Sequence, residues 1–157
     1  MKALMISAIL ALAACAAPPP QVTRNQMAFA PLPQVSVGQV LNQMRAQNGL
    51  PPLRRNATLD RIAQSHAADM VGTGRFSHQG RDGRGSWQRA QAAGYNPRLV
   101  AENLAWGPYE TGGVLRLWQG RSDHRSNQMH PRAQEFGFGI AGTGSRRHWV
   151  LVVGTAF

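Results

Sequence analysis

The chain has 157 residues, which suits one domain and is too short for several. Hydrophobic residues make up 43% of the chain, which excludes an intrinsically disordered protein because enough apolar surface is available for a core. The formal net charge of +10 comes from 16 Arg and one Lys against 7 acidic residues, and it favours polyanionic partners, but no motif for specific nucleic-acid binding is present.

The first 15 residues have the organisation of a secretory leader. Lys2 supplies a positive charge, the apolar run 3–14 follows, and small residues precede Cys15. A membrane-spanning helix would need about 20 apolar residues, so this run is too short to be one. Residues 12–15, Leu-Ala-Ala-Cys, resemble the bacterial lipobox, in which the Cys becomes the first mature residue and carries a lipid. The alternative is an ordinary signal peptide cut near Ala14 or Ala17, in which Cys15 carries no lipid and is a free thiol.

Residue types near the leader predict where the chain resides. A single Cys has no disulfide partner, which supports a lipid on Cys15 and attachment to a membrane through it. Ala16 follows instead of Asp, and in a Gram-negative host this implies the outer membrane of the cell envelope, facing the periplasm. We expect a signal peptide over 1–14, a lipid-anchored and Pro-rich tether over 15–35, and a folded domain over 36–157.

The first part of the domain has helical patterns. Apolar residues three and four positions apart predict four helices, and the second is the most regular, with Asn56 or Thr58 as its N-cap. His66 lies on the apolar stripe of that helix, so we expect a core histidine there. The first predicted helix begins after the cap Ser36 and ends near Gly49, and the second runs from about Ala57 to Gly72. The third covers Ser86–Ala93, and the fourth includes Val114–Trp118.

The end of the domain changes to strand character. Residues 136–140 and 149–153 are apolar and rich in residues that favour strands, and the Gly-rich segment 142–147 connects them. A further strand is predicted over 99–106. Helices that come first and strands that come last, without β-α-β alternation, indicate an α+β fold in which helices cover an antiparallel sheet.

Short motifs follow one another in a fixed order along residues 37–157. They include Ala63-x-x-His66-Ala67-x-x-Met70, Phe76-Ser77-His78, Gly94-Tyr95, Glu102-Asn103-Leu104-Ala105, Trp118, Ser122-x-His124-Arg125-x-Asn127, Glu135-Phe136-Gly137-Phe138-Gly139 and Trp149. No single motif is specific, but together and in this order they resemble the CAP superfamily, the SCP-like or PR-1-like domain, in its bacterial form. The resemblance implies an α-β-α sandwich with a central antiparallel sheet flanked by helices.

Three of these motifs carry the candidate site residues His78, Glu102 and His124. Two imidazoles and a carboxylate suit zinc or another divalent metal, and they equally suit a polarised water for acid–base chemistry. The resemblance places the three residues in one cleft, with His78 and His124 as metal ligands. If no metal is bound, we expect imidazoles near a carboxylate to have pKa values above about 6.5.

One residue of the resembled site is missing. The second acidic position of the cleft falls on Arg121, with Ser122 beside it. Asp123, directly before His124, is the candidate replacement, and Ser122 and Asn103 are candidate supporting residues of the cleft.

Three functions remain open from the sequence. The first is a lipid-anchored envelope protein, expected to be monomeric, whose cleft binds a divalent metal or a small or extended ligand such as a lipid or a sterol-like molecule. The second is a metal-assisted hydrolase, in which His78 and His124 place a zinc-bound water and Glu102 is the general base. The third is an Arg-rich envelope protein that binds an anionic wall polymer or lipid. The sequence does not decide whether catalysis occurs.

Overall fold

The computed structural model describes residues 36–157. The predicted signal peptide over 1–14, the tether over 15–35 and the predicted lipid attachment on Cys15 lie outside the described residues. Among the helices that are described, none is long and apolar enough to cross a membrane.

Within residues 36–157 the chain forms five α-helices and four β-strands. In chain order they are α1 Val37–Gln47, β1 Arg54–Arg55, α2 Ala57–Thr73, α3 Ser86–Ala92, β2 Pro97–Trp106, α4 Thr111–Gln119, α5 Ser122–Gln128, β3 Glu135–Ala141 and β4 His148–Ala156. A short 3-10 turn, Gly144–Arg146, lies in the connection between β3 and β4. The α+β class predicted from the sequence is confirmed.

The strands form one sheet in the order β1-β3-β4-β2. The long strands β2, β3 and β4 pair in antiparallel fashion, as predicted. The two-residue strand β1 pairs with β3 in parallel, so the sheet is mixed at that edge. Strand β1 consists of two exposed arginines, which have no alternation of apolar and polar residues, so the sequence does not predict it.

Helices cover both faces of the sheet, because alternate residues of β4 belong to two different cores. Trp149, Leu151 and Val153 pack in one core with residues of α1 and α4. Val150 and Val152 pack in the other core with residues of α2 and α3. This alternation, which follows from the two-residue period of a strand, gives the expected α-β-α sandwich.

The helix ends follow local chemistry. The side chain of Asn56 accepts hydrogen bonds from the backbone N–H groups of Thr58 and Leu59, and α2 ends at Gly74 in the left-handed conformation. Helix α4 begins before the predicted residue 114. Helix α5 is absent from the helices predicted from the sequence. It is polar and buries only Gln128, and a helix without an apolar stripe cannot be detected by periodicity.

Helix α2 lies unusually close to strand β3, and two glycines allow this approach. A Cβ atom on Gly137 would lie 2.1 Å from the backbone carbon of Leu59, and one on Gly139 would lie 2.3 Å from that of Ala63. The two backbones therefore come closer than any side chain between them would permit.

The same approach lets α2 satisfy the edge of β3 beyond the end of β1. The Asp60 carboxylate accepts from the Phe138 N–H at 2.9 Å. The Gln64 amide accepts from the Ile140 N–H at 3.0 Å and donates to the Ile140 carbonyl at 2.8 Å. Side chains of a helix thus replace the missing strand neighbour.

We predict that Gly137→Ala or Gly139→Ala lowers the free energy of unfolding by about 3 kcal/mol or more, because the new methyl group meets the backbone of α2 and not a movable side chain. Urea denaturation followed by circular dichroism measures this loss. Gly72→Ala is the matched control, since its Cβ atom would meet nothing within 4 Å. A loss for Gly137→Ala no larger than for the control would contradict the close packing.

Candidate functional site

The centre of the site is the carboxylate of Glu102, which strand β2 places in the interior. Its side chain is 2% exposed. One oxygen accepts a hydrogen bond from Nδ1 of His78 at 2.8 Å, and the other accepts from Nη2 of Arg89 at 2.5 Å. A buried carboxylate requires such partners, because burying the charge alone is costly. Both oxygens are therefore engaged by protein groups.

The bond to Glu102 fixes the orientation of the His78 ring. Because a carboxylate only accepts hydrogen bonds, Nδ1 of His78 is the donor, and Nε2 stays available for other contacts. The His78 side chain is 60% exposed, so solvent reaches the ring. The structure thus brings two of the three candidate residues into direct contact.

Arg89 on helix α3 is a site residue that no sequence motif singles out. Its side chain is only 12% exposed. Besides pairing with Glu102, it donates to the carbonyls of His78 and Arg84 through Nη1. Arg89 therefore holds both the carboxylate and the loop that carries His78.

His66 on α2 lies behind this group and is buried, as expected for a core histidine. Its Nε2 donates to the carbonyl of Ser77 at 2.9 Å and lies 3.9 Å from the Glu102 carboxylate. Burial lowers the pKa of His66, and this effect outweighs the attraction of Glu102. His66 supports the loop before His78.

His124 is carried by α5, and β2 holds that helix in place through buried amides. The amide of Asn103 donates to the His124 carbonyl at 2.9 Å. The amide of Asn127 donates to the Asn103 side chain at 2.8 Å and to the Glu102 carbonyl at 3.2 Å. Asn103 is fully buried and links the strand to the helix.

His78 and His124 line the same cavity, which has a volume of about 450 Å³. Glu102 is not among its lining residues and stands behind His78. The other lining residues are Phe76, Leu104, Ala105, Trp106, Tyr109, Leu117, Trp118, Arg121 and Asp123. The ring of His124 meets Trp118 edge to face at 6.5 Å between ring centres. The cavity thus has aromatic walls with two imidazoles among them.

The remaining predicted residues lie at the rim or outside the cavity. Asp123 has a side chain that is 67% exposed, and it lies 4.0 Å from Arg121. The backbone N–H of His124 holds the pKa of the Asp123 carboxyl below its usual value. Ser122 begins α5, is exposed, and uses its carbonyl to accept from the Ser126 hydroxyl. The structure therefore does not bring Asp123 to the Glu102 group.

The protonation expectation is wrong for His124. Burial lowers the pKa of its imidazole, and the nearby Asp123 raises it by less. Nδ1 of His124 is buried and has no hydrogen-bond partner among the described residues. The ring is therefore neutral at pH 7 and carries an unsatisfied nitrogen.

The residues at this site fit a metal ion only in part. Imidazoles suit zinc, and a His held by a carboxylate, as His78 is by Glu102, is typical of metal ligands. However, zinc sites use three or four protein ligands, and in residues 36–157 no group of three or more His, Cys, Asp or Glu side chains is arranged to hold a metal ion. The cavity offers two nitrogen donors.

Comparisons with known proteins agree on one family. The family model described as CAP, the cysteine-rich secretory protein family, matches residues 39–154. The YkwD protein of Bacillus subtilis (strain 168) is 28% identical over 109 residues, which are 69% of this chain and 42% of that protein.

Two solved structures share the fold. An extracellular protein of Bacillus anthracis str. Ames that contains an SCP domain has a TM-score of 0.69 and 21% identity, over 74% of this chain and 38% of that one. An outer surface protein of Borrelia burgdorferi has a TM-score of 0.67 and 21% identity, over 74% of this chain and 87% of that one. The chain spans less than half the length of YkwD and of the Bacillus anthracis protein.

We predict that the domain loses stability in mild acid. Burial lowers the folded-state pKa of His66, His124 and His130, whereas these rings have pKa values of about 6.5 in the unfolded chain. The unfolded state then binds more protons, so the free energy of unfolding should fall as the pH drops from about 7.5 to about 5.5. Urea denaturation across this range measures it, and His124→Asn should flatten the dependence. A constant or rising stability would contradict the assignment.

Proposed function

Since the chain belongs to the CAP family, the cysteine-rich secretory protein family, we propose that it is an extracytoplasmic protein of the cell envelope that binds a ligand in the His78–His124 cavity. The proposal for location draws on two relatives of the same fold, which are described as an extracellular protein and an outer surface protein. The sequence of the leader supports it independently.

The observation that carries the proposal is the make-up of the cavity. Binding sites for small molecules are mostly apolar, with a few polar groups in fixed positions. Here Phe76, Trp106 and Tyr109 supply apolar surface, and the imidazoles of His78 and His124 supply the polar positions. Arg121 adds a positive charge at the same cavity, which Asp123, 4.0 Å away, offsets in part. These groups suit a ligand that has an apolar body and a polar or acidic head, a class that includes fatty acids and other lipids.

Binding is better supported than hydrolysis. A general base must reach the proton that it removes, directly or through one water. Glu102 has one oxygen bonded to His78 and the other to Arg89, and its side chain is almost fully buried. The role that suits this geometry is support of the His78 ring.

A divalent metal is the second candidate occupant, and one observation favours it. His78 is held through Nδ1 by a carboxylate, which leaves Nε2 free as a donor. Together with His124, the protein would supply two nitrogen ligands to a zinc ion, and the ligand or solvent would complete the shell. Such an ion would polarise a bound ligand as a Lewis acid.

The attachment to the envelope is proposed to be a lipid on Cys15. The support is the leader with its Leu-Ala-Ala-Cys segment and the absence of a second Cys in the sequence. In this arrangement the segment 15–35 is a tether between the membrane and the binding domain, and the outer membrane is the proposed site in a Gram-negative host.

We predict that the cavity binds anilinonaphthalene sulfonate, a fluorescent probe with an apolar body and an acidic head. Trp106→Ala and His124→Ala should each weaken binding about fivefold, which is the effect of losing a contact worth about 1 kcal/mol. Trp87→Ala and His130→Ala are the matched controls, because neither residue lines the cavity. Fluorescence titration of residues 21–157 measures the affinity.

A second arm of this experiment titrates zinc by calorimetry. If the metal occupies the cavity, His78→Ala and His124→Ala each abolish binding that His130→Ala retains, and zinc competes with the probe. The ligand proposal fails if the probe binds equally well to Trp106→Ala, His124→Ala and both controls. The metal proposal fails if zinc binding does not depend on His78 and His124.

We predict that Cys15→Ser releases the protein from membranes. The wild-type chain, expressed in a Gram-negative host, should sediment with the outer membrane, and the variant should not, because a single residue carries the lipid. Metabolic labelling with a radioactive fatty acid provides the direct readout. Wild-type protein that is soluble and unlabelled would rule out the anchor and leave the ordinary signal peptide.

A further inference from the structure

A second cavity, which we call the arginine cavity, lies between α2, α3 and the loop 80–84. Its volume is about 560 Å³, and it has no lining residue in common with the His78–His124 cavity. Guanidinium groups from three separate segments line it, namely those of Arg61, Arg81, Arg84 and Arg89. Asp69 and Asp82 line the same cavity, so four guanidiniums face two carboxylates there.

Two carboxylates hold two of these guanidiniums in place. Asp69 on α2 accepts from Nε of Arg81 at 2.6 Å and from the Arg81 backbone N–H at 2.9 Å. Asp82 accepts from Nε of Arg84 at 2.8 Å and from the Arg84 backbone N–H at 3.0 Å. These bonds lower the pKa of both carboxyl groups, so the pairs are ionised and the arginine side chains are fixed at their Nε edges.

Donors remain after these pairs are formed. Within residues 36–157, neither Nη atom of Arg81 has a hydrogen-bond partner. Arg61 bonds only to the hydroxyl of Thr58 and has no carboxylate within ion-pair distance in the described part of the chain. Asp69 offsets the charge of Arg81, Asp82 that of Arg84 and Glu102 that of Arg89. The net positive charge at the cavity therefore sits on Arg61, while Arg81 contributes N–H donors that no protein group uses.

The inner wall of the arginine cavity also has unsatisfied polar atoms. Nε of Arg89, a donor, is buried and has no hydrogen-bond partner among the described residues. Nδ1 of His66 is unpaired as well, but because Nε2 carries the proton that bonds to Ser77, Nδ1 is an acceptor and does not itself favour an anion. The side chain of His66 is 1% exposed and that of Arg89 is 12% exposed. Buried donors are nearly always paired in folded proteins, so an unpaired guanidinium N–H beside a positive cavity indicates that an acceptor belongs there.

We propose that the arginine cavity is a binding site for an oxyanion of the phosphate class, separate from the ligand site at His78 and His124. Guanidinium groups bind phosphate through parallel N–H bonds at a fixed geometry. A phosphate monoester carries up to two negative charges and three acceptor oxygens, which suits several donors that converge from different segments. The source of the phosphate is a free phosphorylated molecule or polymer, or the headgroup of an anionic lipid.

The test uses the full chain, purified in a non-ionic detergent, and two probes. Inorganic tripolyphosphate represents a free phosphorylated ligand, and dihexanoyl phosphatidylglycerol represents a lipid headgroup. We expect calorimetry to show binding of tripolyphosphate that weakens as salt is added. The double variant Arg61→Gln/Arg81→Gln should weaken it about tenfold or more, because charge-assisted hydrogen bonds are lost.

Arg116→Gln is the matched control, since Arg116 is an exposed arginine of α4 that lines neither cavity. Arg61→Gln alone keeps the test valid if the double variant does not fold, because Arg61 takes part in no ion pair in the described residues. His124→Ala should bind tripolyphosphate as the wild type does, which separates this site from the other cavity.

Binding of both probes in competition identifies a headgroup-type phosphate, and binding of tripolyphosphate alone identifies a free phosphorylated ligand; either result supports the site. The proposal is overturned if the wild type binds neither probe. It is also overturned if Arg61→Gln and Arg61→Gln/Arg81→Gln bind tripolyphosphate as tightly as Arg116→Gln.

Discussion

The burial of one carboxylate, that of Glu102, constrains the arrangement of the whole site. Removing a carboxylate from water costs several kcal/mol even after the protein relaxes, so the fold must bring compensating groups to it. Arg89 comes from α3 and His78 from the loop that follows α2. The backbone carbonyl of the same residue accepts from Asn127 of α5. Elements that are far apart in sequence are therefore tied to one position on β2.

This constraint gives the two sides of Glu102 different properties. On one side His78 presents a ring whose orientation is fixed, and it shares a largely apolar cavity with the neutral ring of His124. On the other side Arg89 belongs to a cavity lined by guanidiniums and by the carboxylates of Asp69 and Asp82. Glu102 thus bonds to one residue that lines the first cavity, His78, and to one that lines the second, Arg89.

Much of the fold could be predicted from the sequence because its signals are local. The apolar stripe of α2 and the apolar runs of β3 and β4 report burial directly, and His66 lies where that stripe requires. Other features depend on tertiary contacts and leave no local signal. Helix α5 is polar and is held by Asn103, β1 exists only because β3 lies beside it, and Arg89 resembles any other basic residue of a short helix.

The candidate site was predictable to a similar extent. The motifs around His78, Glu102 and His124 are visible, and the structure places the two His on one cavity. The motifs do not show how deeply each side chain is buried. The sequence does not reveal that Glu102 stands behind His78 and not beside it, or that burial outweighs Asp123 in setting the pKa of His124.

The place of β4 in the sheet has a consequence for biosynthesis. It is the last strand of the domain to be synthesised, yet it lies between β3 and β2 and supplies residues to both cores. A nascent chain that has emerged only as far as residue 147 has helices but no strand to join the two halves of the sheet. Its sandwich closes late, through contacts between distant segments, which are slow to form. A chain that ends before residue 148 therefore lacks the strand on which both cores are built.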